Sequence, residues 1–171
     1  MKRCVHVYTG DGKGKTTAAL GLIARAVGAG WRVYMGQFMK RGDYCEAKTL
    51  KDRFPDVTLE QYGTGKFMMG EPFPGDIAAA REGFERIEGA LSGGEYDLVV
   101  ADELITAVNA GLIGRDEVCS LMDNRAPEVE LVLTGRNADE ELIKRGDVVT
   151  EMLKVKHYMD EGVKARKGVE R

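Results

Sequence analysis

The stretch Thr9-Gly10-Asp11-Gly12-Lys13-Gly14-Lys15-Thr16-Thr17 decides how the rest of this sequence reads. Before it lies a short β-branched run, Arg3 to Tyr8. After it comes a helical pattern, Lys15 to Ala29, with Ala18, Leu22, Ala26 and Ala29 on one face and Gly30 as a stop. A glycine-rich turn ending in Gly-Lys-Thr between a strand and a helix is a P-loop. Glycines let backbone N–H groups converge on phosphate oxygens, and the helix presents its positive end. Lys15 supplies a point charge, Lys13 adds a second, and the Thr16 hydroxyl is a magnesium ligand by type. One position departs from the common pattern: Thr9 stands five residues before Gly14, where glycine is usual.

Working outward, β-branched runs alternate with helical patterns, the rhythm of βαβ units around a parallel sheet. Strands are expected at Arg3 to Tyr8, Arg32 to Phe38, Val57 to Tyr62, Asp97 to Ala101, Glu130 to Thr134 and Asp147 to Met152. Helices are expected at Lys15 to Ala29, Glu46 to Arg53, Asp76 to Leu91, Leu104 to Ala110, Asp116 to Asn124 and Ala138 to Lys144, the last with Asn137 as N-cap. The fold class implied is α/β: a single P-loop NTPase-like (RecA-like) domain over residues 1–171, with a mostly parallel sheet of about six strands and helices on both faces. Gly63 to Gly75 and the basic tail from Val155 onward read as irregular.

Composition narrows the function. The 25 Lys and Arg against 28 Asp and Glu leave a net charge of -3, which argues against a nucleic-acid protein relying on a basic field. No apolar run approaches the roughly 20 residues of a membrane span, and Cys4 to Tyr8 is too short for a signal peptide's apolar region, so a cytoplasmic location is expected. Cys4, Cys45 and Cys119 have no metal-site spacing and read as reduced thiols.

Two further strand ends carry chemistry. Leu98-Val99-Val100-Ala101-Asp102-Glu103 is an apolar strand closing on two carboxylates, expected beside the P-loop strand, where an acid holds magnesium. Leu133-Thr134-Gly135-Arg136 places a guanidinium at the same sheet edge, where open α/β sheets bind ligands. By themselves these motifs fit a phosphoryl-transferring kinase or ATPase, or a non-catalytic nucleotide-binding regulator.

The set as a whole resembles the P-loop type corrinoid adenosyltransferases. The resemblance runs through the P-loop with Ala18-Ala19, Arg25-Ala26-Val27-Gly28, Gln37-Phe38 with Lys40, Asp102-Glu103-Leu104, Thr134-Gly135-Arg136, Glu151, Val155-Lys156-His157 and Gly162-Val163-Lys164-Ala165. It implies transfer of the 5′-deoxyadenosyl group of ATP to the cobalt of a reduced corrinoid, cob(I)alamin or cob(I)yrinic acid a,c-diamide, with release of triphosphate. It also implies that Gly10, Asp11, Gly12, Lys13, Gly14, Lys15, Thr16 and Thr17 hold the triphosphate in reversed orientation, with Arg25, Arg136 and His157 as further binding residues; because a carboxylate repels a triphosphate, only the backbone N–H of Asp11 is expected to face the phosphates. Lys15, Thr16 and Glu103 would be the catalytic set. Thr16, Glu103 and Asp102 would hold Mg²⁺ or Mn²⁺. A homodimer taking electrons from a reduced flavoprotein is the family's usual arrangement. Family members carry Phe-x-Trp after a Thr-Gly pair; here Thr64-Gly65 is followed by Lys66-Phe67-Met68-Met69. Phe67 and Met68 are therefore the expected corrinoid contacts.

Overall fold

The computed structural model describes residues 2–65 and 70–170. Its elements follow the alternating pattern: β1 (Val5–Thr9), α1 (Lys15–Gly28), β2 (Val33–Phe38), α2 (Cys45–Arg53), β3 (Val57–Tyr62), α3 (Pro74–Ser92), β4 (Leu98–Asp102), α4 (Leu104–Asn109), α5 (Arg115–Asn124), β5 (Glu130–Thr134), α6 (Glu140–Arg145) and β6 (Val148–Glu151), with a 3-10 turn at Tyr158–Glu161. The six strands form one sheet in the order β3-β2-β4-β5-β1-β6, and every pairing is parallel. This is the arrangement of a P-loop NTPase-like domain.

Strand order corrects one expectation. β4 is not beside β1, because β5 lies between them, pairing Val5 with Leu131 on one side and Ala101 with Leu133 on the other. The acidic strand end is thus one strand removed from the P-loop. The helix ends differ by small amounts, and α6 is capped by Asp139, not Asn137: the Asp139 carboxylate accepts from the Glu141 N–H at 2.9 Å, while Asn137 has φ 51° in the preceding turn.

Two apolar layers cover the sheet. On one face Ala19, Ile23 and Ala26 of α1, with Ala47 and Leu50 of α2, pack on Val33, Met35, Leu98, Val100 and Val132. On the other, α3, α4, α5 and α6 pack on Val5, Val7, Tyr34, Phe38, Val99, Ala101, Leu131 and Leu133. Side chains along a strand point alternately to the two faces. Counting on by twos from Val33-Met35, from Val57-Leu59, from Leu98-Val100 and from Val132 therefore puts Gln37, Gln61, Asp102 and Thr134 on the α1 face at the carboxyl edge. Register aligns Gln61, Gln37 and Asp102 directly, so a polar row crosses the sheet just where the apolar layer ends.

Packing in the opposite layer leaves no room at Gly83 of α3, where a Cβ would lie 2.6 Å from the Tyr62 ring. Gly89, two turns on, has open space. Gly83→Ala is expected to lower unfolding free energy by about 1–3 kcal/mol through overpacking. Gly89→Ala is expected to raise it by about 0.4–1 kcal/mol by restricting the unfolded chain. Urea denaturation of the two variants checks both signs.

Candidate active site

The P-loop leaves β1 and enters α1, and its glycines have two jobs. Gly14 is the N-cap of α1 at φ 125° and has no side chain to occupy the first-turn N–H groups. Those donors remain for an anion. Gly10 and Gly12 instead answer to a close approach of backbone. A Cβ at Gly10 would lie 2.5 Å from the Met152 carbonyl oxygen, and one at Gly12 would lie 2.6 Å from it. The Gly12 N–H donates to that carbonyl at 2.6 Å, and the Met152 N–H donates to the Thr9 carbonyl at 2.9 Å. The chain leaving β6 thus braces the loop from behind. Thr9 is buried, and its hydroxyl accepts from the Ala138 N–H at 3.0 Å, a tie that glycine could not make.

Lys15 is buried, and its ammonium donates to the carbonyls of Gly10 and Gly12 at 2.6 and 2.8 Å, closing the loop around itself. Burial lowers its pKa, opposed chiefly by the Glu103 carboxylate. Thr16, one residue on, donates to Asp102 Oδ1 at 2.8 Å. The gap left by β5 is bridged by that strand's own last residue: Thr134 Oγ1 donates to Asp102 Oδ1 at 2.8 Å and accepts from the Glu103 N–H at 2.9 Å. On the other oxygen, Asp102 Oδ2 accepts from Gln37 at 3.1 Å and from the Lys40 ammonium at 2.8 Å. Asp102 is 0% exposed. Burial is the largest single influence and works against the Lys40 charge, but the carboxylates of Asp102, Glu103 and Glu46 together outweigh it and hold the Lys40 pKa above its ordinary value. Gln61 continues the row, donating to Gln37 Oε1 at 3.0 Å and accepting from the Gly42 N–H at 3.2 Å.

Glu103 is turned differently. It takes φ 63° as the N-cap of α4, accepts from the Thr106 hydroxyl, and lines the cleft. Gly135 makes that corner possible, since a Cβ there would lie 2.5 Å from the Thr106 nitrogen. Arg136 follows, its guanidinium 3.9 Å from the Asp11 carboxylate across the cleft mouth, with both side chains exposed. This pairing turns the Asp11 carboxylate toward a cation.

The cleft has a volume of about 510 Å³. It brings together Asp11 to Thr17, Glu103, Arg136 and His157 of the expected set, and adds Leu20, Lys40, Cys45 and Glu46. Gly10 lies behind it, against β6. Arg25 is not part of it: an exposed residue in the last turn of α1, it stands nine residues beyond Thr16, roughly 14 Å along a helix rising 1.5 Å per residue. Phe67 and Met68 lie outside the described residues.

The tail forms a wall of the cleft that composition does not reveal. His157 caps the 3-10 turn by accepting from the Met159 N–H at 3.1 Å. Glu170 gathers the Tyr158 hydroxyl, the Arg166 N–H at 2.7 Å and the Arg166 guanidinium, with Arg166 lying over the Tyr158 ring. Arg166 and then Tyr158 hold the Glu170 carboxyl well below the usual range. This folded tail meets the P-loop at Lys13, whose ammonium donates to the Val169 carbonyl at 2.9 Å and stands 3.4 Å from Glu170. No pattern in the sequence flags these contacts, because they join residues about 156 apart.

Among the described residues no three His, Cys, Asp or Glu side chains converge as metal ligands. Oxygen donors that line the cleft include the Thr16 hydroxyl and the Glu103, Glu46 and Asp11 carboxylates. That set suits a hard divalent ion completed by phosphate oxygens and water, as magnesium prefers. Asp102 fits less well as a ligand, its four lone-pair sites already facing four donors.

Comparison with known proteins agrees with this geometry. Residues 1–171 match the family described as ATP:corrinoid adenosyltransferase BtuR/CobO/CobP. A corrinoid adenosyltransferase of Pseudomonas aeruginosa is 36% identical over 165 residues, covering 96% of this chain and 81% of its own length. The corrinoid adenosyltransferase of Escherichia coli K12 and the corrinoid adenosyltransferase CobA of Salmonella typhimurium are each 34% identical over 166 residues, covering 97% of this chain and 84% of their own lengths. Matched by the family model over its whole length and by relatives 34–36% identical over nearly all of it, the chain belongs to the ATP:corrinoid adenosyltransferase family.

Proposed function

We propose that this chain transfers the 5′-deoxyadenosyl group of ATP to the cobalt of a reduced corrinoid and releases triphosphate. The observation that carries the reading is the cleft that joins the P-loop to Glu103 and to the tail residues of the matched family. In such a step Co(I) donates an electron pair to C5′, the C5′–O5′ bond breaks, and triphosphate departs with the bonding pair as cobalt becomes Co(III). Charge therefore develops on the leaving group, where fixed donors act best. The open N–H groups of the first turn of α1, Lys15 and Lys13 are the donors for it, with Arg136 at the mouth. Thr16 and Glu103 would hold Mg²⁺ or Mn²⁺, which when bound supplies further charge neutralisation at the phosphates. Asp102 orients the Thr16 hydroxyl, and His157 forms part of the opposite wall.

Phe67 and Met68 are the side chains we assign to the corrinoid face, Phe67 by its ring and Met68 as an adaptable filler. A reduced flavoprotein as electron donor, a homodimeric state and a cytoplasmic location complete the proposal. No described helix is long and apolar enough to cross a membrane.

Incubation with ATP and reduced corrinoid should yield triphosphate and an alkylated cobalt in the visible spectrum; ADP and phosphate without alkylation would sink the reading. Lys15→Ala should lower kcat/KM by on the order of 100-fold or more, since it removes a cation from the leaving group's site. Replacing Phe67 and Met68 together by Ala should abolish the four-coordinate cob(II)alamin signal expected with ATP while leaving ATP affinity nearly unchanged; an unaltered spectrum would remove both from the corrinoid face. Glu170→Gln should loosen the tail, read as several-fold faster trypsin cleavage after Lys164, Arg166 and Lys167.

A further inference from the structure

Lys40 has no assigned part in this site, yet it stands at its most constrained point. Its ammonium is 2.8 Å from Asp102 Oδ2, 3.8 Å from Glu46 Oε1 and 5.5 Å from the centre of the Tyr44 ring, and it lines the cleft. The backbone that delivers it is held in place. Met39 takes φ 57° directly after β2 and donates its N–H to the Tyr62 carbonyl at 2.8 Å. The exit of β3 then packs so tightly that a Cβ at Gly63 would lie 2.7 Å from the Lys40 nitrogen. A long side chain is aimed by this crossing of two strand exits into the end of the polar row.

Asp102 needs such a partner. A fully buried carboxylate is tenable only when paired and hydrogen-bonded, and its other three donors, Thr16, Thr134 and Gln37, are neutral. In the common P-loop arrangement the acid at this strand end is engaged with the metal ion. Here the outer oxygen carries a protein cation instead.

We propose that Lys40 is a positioning residue: it is the resident counter-charge of Asp102, so that Asp102 serves as the acceptor that orients the Thr16 hydroxyl, and a divalent ion is left to Thr16 and Glu103. Thr16 has one hydrogen, and with that hydrogen on Asp102 its lone pairs are free for a cation. The inference rests on the ATP and divalent-ion reading above and specifies how the chain divides its two carboxylates, one structural and one ligating.

The test is Mn²⁺ binding followed by electron paramagnetic resonance and by calorimetry, with and without ATP. Wild-type protein should take up Mn²⁺ tightly only with ATP. Lys40→Met exposes an uncompensated Asp102 beside Glu103 and should create an ATP-independent Mn²⁺ site, about tenfold or more tighter than in the wild type without nucleotide, while metal-dependent ATP affinity falls about 10- to 100-fold. Lys40→Arg keeps the charge and should restore wild-type metal behaviour. The double change Lys40→Met with Asp102→Asn removes both charges, guards against misfolding, and should abolish the gained site. A folded Lys40→Met protein with wild-type Mn²⁺ uptake in the absence of ATP overturns the proposal. ATP affinity in the wild type that is unchanged by a chelator would instead remove the divalent-ion reading; Lys40 is then still judged by the nucleotide-free Mn²⁺ measurement.

Discussion

The carboxylate of Asp102 is the interaction on which the site depends. Four segments meet on it: the first turn of α1 through Thr16, the end of β5 through Thr134, the end of β2 through Gln37 and the crossing after β2 through Lys40. Gln37 and Thr134 are fully buried, Thr16 and Lys40 partly so, and all four converge on this one acceptor. Breaking such a buried ion pair by removing one partner costs about 3–5 kcal/mol, comparable with much of the roughly 5–15 kcal/mol that holds a domain together. The P-loop's helix is therefore tied to the sheet by a polar contact as well as by the apolar stripe of Ala19, Ile23 and Ala26.

A second constraint acts from the far side. β6 is an edge strand paired with β1 and exposed at every residue, and the segment it leads into reaches the P-loop. The Met152 carbonyl lies within 2.6 Å of where Cβ atoms at Gly10 and Gly12 would be, and the tail beyond returns to Lys13. The phosphate loop is thus held between Asp102 in front and the β6 exit behind. Preorganisation of this kind keeps donors from having to reorient as charge develops on a leaving group.

Much of this is legible in the sequence. Strand and helix identities follow from apolar periodicity, because α/β layers impose periods of 2 and 3.6 on the residues that face them. The P-loop announces itself because the turn demands glycine, and Lys15, Thr16 and Glu103 fall in the cleft with Arg136 and His157. The polar row is also within reach: Gln61, Gln37, Asp102 and Thr134 each come two residues after a core residue of the same face. Periodicity does not carry strand order, and so the expectation of Asp102 beside β1 fails where β5 intervenes. Arg25 falls outside the cleft for a related reason. Nearness to the P-loop in sequence becomes distance along α1.

The sequence by itself determined the α/β class, the position of the phosphate loop and the kinds of side chain available to it, since these depend on local turn geometry and on alternation along single elements. Tertiary structure alone decided which carboxylate is buried and which faces the cleft. Asp102 and Glu103 are adjacent and chemically alike, and they part company because one ends a strand on the α1 face while the other turns to φ 63° and caps a helix. The same holds for the glycines of the loop. Local sequence marks them as permissive to phosphate, but it is the backbone of Met152, distant in the chain, that forbids anything larger at Gly10 and Gly12.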